Sequence, residues 1–122
     1  YIWQDRFYLD ADLTKFLYFG EYPELLHLHI PIELVDKWSQ VEDQIQAVME
    51  TYNLKIFSVS YTEAAGWSFN TANKLQINLG SDLSLDVFQK LSLTLKYIFE
   101  KNLTPSIIDL RYKDGAALNY GK

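Results

Sequence analysis

A repeating apolar pattern between Pro31 and Asn53 places strong limits on the fold. Apolar residues recur there at intervals of three and four, which predicts one long helix with a single apolar stripe: Leu34, Val35, Trp38, Val41, Ile45, Val48, Met49 and Tyr52. Pro31 is tolerated at a helix start, and Asn53 is a suitable C-terminal stop. The other side of the helix is acidic and polar. A helix of this kind needs a flat apolar surface to cover its stripe.

A second helix follows Gly80 and has the same character. Ser81, Asp82 and Ser84 all offer side chains that can cap its N-terminus, and Asn102 and Pro105 end it. Its apolar stripe consists of Val87, Phe88, Leu91, Leu95, Ile98 and Phe99. The chain therefore contains two amphipathic helices that can cover the same sheet.

The remaining segments are rich in aromatic and β-branched residues and predict strands. Within Leu54–Thr62, alternation places Phe57, Val59 and Tyr61 on one face. Asn73 can adopt the left-handed conformation that the hairpin turn at residues 71–73 requires. Strands are predicted near residues 1–3, 7–10, 15–19, 26–30, 54–62, 66–70, 74–79, 107–112 and 116–120. The predicted fold is α+β: a mostly antiparallel sheet with two amphipathic helices packed on one face and a terminal β-hairpin at its edge, forming one domain over residues 1–122.

Composition excludes several classes of function. Eleven Lys and Arg against sixteen Asp and Glu give a formal charge of −5, the wrong sign for neutralising nucleic-acid phosphates. Cysteine is absent, so there are no disulfides, thiolate metal sites or cysteine nucleophiles. No apolar run approaches the roughly 18–20 residues that cross a bilayer. The chain begins without Met inside a predicted strand, and we expect it to be a piece of a longer protein.

Catalytic and metal-binding patterns are incomplete. His27 and His29 share one side of a strand, a spacing that some metal sites use, but a third His or a Cys is missing. We therefore predict two partly exposed histidines, with no metal and no cofactor. Paired carboxylates fall in turns or on the polar helix face, and no glycine-rich phosphate loop is present. These observations predict a protein that is not an enzyme.

Sixteen residues near the end of the chain, Ser106 to Gly121, read as a hairpin with a turn at Lys113-Asp114-Gly115. In its first strand Ile108, Leu110 and Tyr112 share one face, whereas Asp109 and Arg111 share the other. The second strand, residues 116–120, contains no Lys, Pro or inward-pointing charge of the kind that protects an edge strand. This strand is either covered by another part of the domain or open to a partner strand.

The hairpin resembles the closing segment of the bacterial cell-division family FtsQ (DivIB in Gram-positive bacteria). The family pattern is Asp-Leu-Arg-Tyr, a turn with Gly, and a strand of small residues ending in Trp. The matching positions are Asp109, Leu110, Arg111, Tyr112, Gly115, Ala116, Ala117 and, in place of the final Trp, Tyr120. Weaker similarities extend over nearly the whole chain, including Trp3-Gln4-Asp5, His29-Ile30-Pro31 and Trp67 with residues 75–80, although Leu13 stands where Gly is usual.

This resemblance implies the periplasmic β-domain of a bitopic inner-membrane protein at the division septum. The cytoplasmic tail, membrane helix and POTRA domain would precede it, and the domain itself would be soluble and monomeric in isolation. Such proteins are non-catalytic scaffolds that bind FtsB, and FtsL through it, to support septal cell-wall synthesis. The resemblance further implies that Arg111 pairs with a partner carboxylate, that Tyr112 packs an apolar anchor, and that Gly115 makes the turn. Main-chain bonds to the partner strand would come from Ala116, Ala117, Leu118, Asn119 and Tyr120.

Three alternatives remain open. A small-molecule or carbohydrate-binding domain in the periplasm would show a deep apolar pocket with converging polar groups. A self-associating adaptor would dimerise through the same edge strand. An enzyme would bring Asp10, Asp12 and Glu24 together in a cleft and shift their pKa values.

Overall fold

Within the residues that the structure describes, one mixed sheet and two α-helices make up the fold. The computed structural model describes residues 1–5, 7–9, 13, 15–17, 25–112 and 115–120. In chain order the elements are β1 (Ile2–Trp3), β2 (Phe7–Leu9), β3 (Lys15–Leu17), β4 (His27–His29), α1 (Val35–Thr51), β5 (Ile56–Thr62), β6 (Gly66–Thr71), β7 (Gln76–Gly80), α2 (Leu85–Glu100), β8 (Ile107–Asp109) and β9 (Ala117–Asn119). The predicted α+β class is confirmed.

The strands lie in the order β3-β2-β1-β4-β5-β6-β7-β8-β9. Antiparallel pairing dominates, but β1 with β4, β4 with β5, and β7 with β8 are parallel. Two of these parallel pairs are joined through helices, α1 between β4 and β5 and α2 between β7 and β8, as a crossover connection requires. The terminal hairpin therefore lies at one edge of the sheet, as predicted.

The helices cover the apolar face of the sheet. Opposed residues form a continuous row across the sheet on that face: Leu28, Val59, Phe69, Ile77, Ile108 and Leu118. All but Leu118 are fully buried. From α1, the ring centroid of Trp38 lies 5.5 Å from that of Phe69. The buried residues of α2 belong to the same core cluster, so one core lies between the sheet and both helices.

The opposite face of the sheet is polar. The neighbouring row contains His29, Ser60, Ser68, Asn78, Asp109 and Ala117. An alternation of apolar and polar faces is typical of a sheet that is covered on one side and meets water on the other. Ile108 extends the apolar row to the last pair of strands, and Asp109 extends the polar row. The hairpin is therefore part of both faces of the sheet.

Both helices end as their sequences predict. Asn53 and Asn102 follow α1 and α2 with φ of 58° and 56°, the left-handed conformation that terminates helices. The Oγ of Ser84 accepts a hydrogen bond from the N–H of Val87 at 3.4 Å and so caps α2. Pro31 precedes a short 3₁₀ turn, Ile32–Leu34, that leads into α1. Neither described helix has the length and apolarity to cross a membrane.

Three local predictions were wrong. β8 ends at Asp109 instead of continuing to Tyr112, and Tyr112 is exposed whereas Ile108 and Leu110 are buried. Lys74, with a φ of 70°, is left-handed in the β6–β7 turn, and Asn73 is not. The side-chain oxygen of Asn73 accepts a hydrogen bond from the hydroxyl of Thr71. In β5 the pairing register shifts between Ile56 and Ser58. This bulge leaves Phe57 47% exposed while Val59 is buried, so the two side chains do not share the predicted face.

Candidate functional site

The candidate site is the outer edge of β9. Within the described part of the chain no strand lies beyond it, because β9 ends the strand order and pairs with β8. The carbonyl of Asn119 faces β8, since it accepts a hydrogen bond from the N–H of Ser106 at 2.8 Å. Backbone groups of successive strand residues point to opposite sides. The N–H and C=O of Leu118 are therefore directed away from the sheet, where they are available to an additional strand.

The residues of this edge fall on two sides. The side chain of Leu118 is half-buried opposite Ile108, and Ala117 is half-buried opposite Asp109. Asn119 and Ala116 are exposed, and Tyr120 is 56% exposed just after the strand. The strand Ala117–Asn119 has no Lys or Pro to prevent pairing. Lys113 and Asp114, predicted to form the turn, lie outside the described residues.

The structure brings Asp109 and Arg111 together as a tight pair. Arg111 donates from Nε to Asp109 Oδ1 at 2.9 Å and from Nη2 to Oδ2 at 2.7 Å, and its backbone N–H donates to Oδ1 at 3.1 Å. The Asp109 side chain is 8% exposed and that of Arg111 is 47% exposed. The hydrogen bond from the Arg111 side chain lowers the pKa of the Asp109 carboxyl, and the same bond raises the pKa of Arg111.

This pairing leaves Arg111 able to act on a partner. A guanidinium has five N–H donors, and the Asp109 carboxylate engages its Nε and Nη2. The exposed nitrogens can still donate to a carboxylate that approaches from solvent. Tyr112 is 57% exposed beside Arg111, so the two predicted anchors lie next to each other on the surface.

Two glycines in contact with each other lie beneath Arg111. Gly66 and Gly80 both have positive φ, 79° and 89°, and a Cβ on Gly66 would lie 2.2 Å from the carbonyl carbon of Gly80. A Cβ on Gly80 would in turn lie 3.3 Å from Cγ of Arg111. The two backbones therefore touch, and the aliphatic stem of Arg111 lies directly on Gly80. Sequence reasoning did not identify either contact.

Lys90 on α2 is a second contributor that sequence reasoning missed. Its Nζ donates to the carbonyl of Leu110 at 3.0 Å and also to that of Tyr112. Lys90 follows Val87 by three residues and so lies at the margin of the apolar stripe of α2. That position was the available signal, because a cation beside an apolar stripe can reach the element on which the helix packs.

An open apolar groove lies between α2 and the hairpin. Its volume is about 390 Å³, and it is lined by Lys90, Leu93, Thr94, Tyr97, Gly115, Ala116 and Leu118. Leu93 is 67% exposed and Tyr97 is 53% exposed, unusually high values for large apolar side chains on one helix face. The groove therefore adjoins the outward edge of β9 and gives it an apolar neighbour.

The two histidines have a partner that the sequence pattern did not indicate. The Asp5 carboxylate accepts a hydrogen bond from each: Oδ1 from Nδ1 of His27 at 3.0 Å, and Oδ2 from Nε2 of His29 at 2.9 Å. The ring of His27 also stacks on Phe57 with a centroid distance of 4.9 Å. In the described part of the chain no group of three or more His, Asp or Glu residues is arranged to hold a metal ion. Asp10, Asp12 and Glu24 lie outside it.

Comparison with known proteins supports the family resemblance. The sequence is 27% identical over 88 residues to the cell division protein FtsQ of Aliivibrio fischeri, a match that covers 72% of this chain and 33% of that protein. No family model matches the chain. The chain thus spans about a third of the length of the curated relative it matches. The similarity to FtsQ that the Asp-Leu-Arg-Tyr motif predicts is confirmed by this distant relative.

Proposed function

We propose that this chain is the partner-binding β-domain of an FtsQ-type division protein and that it acts without catalysis. In this proposal the domain lies in the periplasm as part of a protein anchored in the inner membrane. It recruits FtsB, and FtsL through FtsB, by accepting a strand at β9, and so supports septal cell-wall synthesis. The observation that carries the proposal is the outward-facing backbone of Leu118 at the end of the strand order.

The side chains around β9 support the same proposal. Arg111 offers exposed donors to an acidic residue, and Tyr112 offers an exposed ring to an apolar one. The groove between α2 and the hairpin can receive a second apolar side chain against Leu93, Tyr97 and Leu118. A segment that alternates apolar and acidic residues fits this arrangement, because alternate side chains of an added strand point to opposite sides.

Calorimetry with the full-length protein and a synthetic C-terminal peptide of FtsB from the same organism tests the proposal. Leu118→Pro removes the outward N–H and is expected to weaken binding at least about 30-fold, because the added strand loses a main-chain bond and its register. Tyr112→Glu is expected to weaken binding about tenfold or more, because it puts a charge where an apolar contact forms.

Phe57→Glu is the matched control, since Phe57 is a similarly exposed aromatic on β5. It should leave the affinity unchanged. Unchanged binding by both hairpin variants, with their circular dichroism spectra intact, would contradict strand addition. Sedimentation of the protein as a dimer that Leu118→Pro dissociates would instead favour the self-associating adaptor.

A further inference from the structure

Lys90 connects α2 to the two carbonyls that flank Arg111. Its ammonium donates to the carbonyl of Leu110 at 3.0 Å and to the carbonyl of Tyr112. The Lys90 side chain is half-buried, and it borders both the apolar groove beside β9 and the cleft that contains Arg111 and Tyr112. A single side chain on the helix thus holds the backbone on both sides of the predicted anchor.

These bonds explain why β8 is shorter than its sequence pattern predicts. The N–H of Leu110 makes the last bond to β7, to the carbonyl of Asn78 at 2.8 Å. Beyond it, the N–H of Arg111 bonds the Asp109 side chain, and the carbonyls of Leu110 and Tyr112 bond Lys90. Side chains therefore satisfy polar groups that a longer β8 would have offered to its neighbouring strands, the N–H of Arg111 to β9 and the two carbonyls to β7. Strand pairing ends at Asp109, and residues 110–112 take a separate path.

The separate path presents Arg111 and Tyr112 outside the sheet. Their side chains are exposed, and Arg111 is held by Asp109 and supported by Gly80. A segment already fixed before a partner arrives loses less conformational entropy on binding, and the affinity rises accordingly.

We infer that Lys90 is a positioning residue for docking, which fixes residues 110–112 so that Arg111 and Tyr112 are prearranged for the partner strand. This inference rests on the proposed function. Lys90 itself makes its bonds to the protein's own backbone and need not contact the partner.

Lys90→Met tests the inference, because it keeps the length and apolar stem of the side chain and removes all donors. Affinity for the synthetic FtsB peptide, measured on the full-length protein, should fall about tenfold, since two bonds from a charged donor are lost. Lys90→Arg retains the donors and should recover most of the affinity. Lys96→Met changes an exposed lysine on the same helix and should bind like the unmodified protein.

A double-mutant cycle separates positioning from general loss of stability. In an Arg111→Ala, Tyr112→Ala background, Lys90→Met should weaken binding less than twofold, because there are no anchors left to position. An unchanged tenfold effect in that background would overturn the inference. Equal binding by Lys90→Met and the unmodified protein would also overturn it while leaving the proposed function intact.

Two further results are decisive. If the unmodified protein does not bind the peptide, the proposed function fails and the inference fails with it. If Lys90→Met does not fold, Lys90→Gln, which replaces the charged ammonium with a neutral amide, takes its place in the same cycle. Faster amide hydrogen exchange at residues 110–112, with protection of β5 and β6 unchanged, is expected for either variant.

Discussion

Asp5 and Asp109 each accept hydrogen bonds from two groups on the polar side of the sheet. For Asp5 these are two imidazoles, and for Asp109 they are the backbone N–H and the guanidinium of Arg111. Asp5 lies in the β1–β2 turn, where Gln4 and Asp5 have φ of 55° and 59°, and its side chain is 61% exposed. Asp109 lies in a strand, and its side chain is 8% exposed. The Asp5 carboxylate joins the β1–β2 turn to β4 through the two histidines. The Asp109 carboxylate instead fixes the backbone that follows β8 through Arg111.

The difference in burial predicts a difference in strength. Exposed ion pairs contribute about 0–1 kcal/mol, because water and salt screen them. A hydrogen-bonded carboxylate that is largely removed from water contributes more, and its loss takes the acceptor from both the backbone N–H and the guanidinium of Arg111. The pair of Asp109 and Arg111 should thus be the more stabilising of the two.

Substitution at the Gly66–Gly80 contact, which lies beneath Arg111, should have the largest effect on stability. Gly66→Ala would place a Cβ 2.2 Å from the backbone of Gly80 at a φ of 79°. We expect it to lower the free energy of unfolding by at least about 3 kcal/mol, because neither backbone can move away without disturbing β6 or β7. Urea denaturation measures this loss. Gly115→Ala, where nothing lies within 4 Å, should change stability by less than about 0.5 kcal/mol.

Removal of the buried carboxylate should have an intermediate effect. Asp109→Ala is expected to lower the free energy of unfolding by about 1–3 kcal/mol, because the backbone N–H of Arg111 loses its acceptor and the guanidinium loses its partner. Urea denaturation at pH 7 measures the loss. A change smaller than that of Asp5→Ala under the same conditions would show that the comparison between the two carboxylates is wrong.

Removal of the exposed carboxylate should have the smallest effect, and acid should abolish it. Asp5→Ala is expected to cost less than about 1 kcal/mol at pH 6. The hydrogen bond with His27 lowers the pKa of Asp5 in the folded chain, so its stabilisation is complete above the unfolded value of about 3.9 and is lost as the pH falls through the lowered pKa. The difference between Asp5→Ala and the unmodified protein should therefore shrink from about pH 5 towards pH 2.

Thermal denaturation at several pH values follows this difference. A gap that stays constant down to pH 2 would mean that the Asp5 carboxylate contributes nothing through its charge. The same titration of Asp109→Ala sharpens the comparison, because its carboxyl pKa is also lowered, by the side chain of Arg111, and the gap there should be larger at every pH above about 4.

Local sequence patterns determined most of the secondary structure of this protein. Stripes at intervals of three and four marked both helices, and Asn53, Asn102 and Ser84 marked helix ends, because helix formation and capping depend on neighbours in the chain. Alternation marked the strands and the terminal hairpin. The Asp-Leu-Arg-Tyr motif indicated the FtsQ resemblance, and it contains Arg111 and Tyr112, which are both exposed in the structure.

Only the tertiary structure decided how those elements meet. The contact of Asp5 with two histidines on β4, the bonds from Lys90 to the hairpin, and the touching backbones of Gly66 and Gly80 join residues far apart in sequence. Strand order and register bring such residues together, and neither is encoded in a local period. The same long-range bonds ended β8 at Asp109, although its alternation alone predicted a strand to Tyr112.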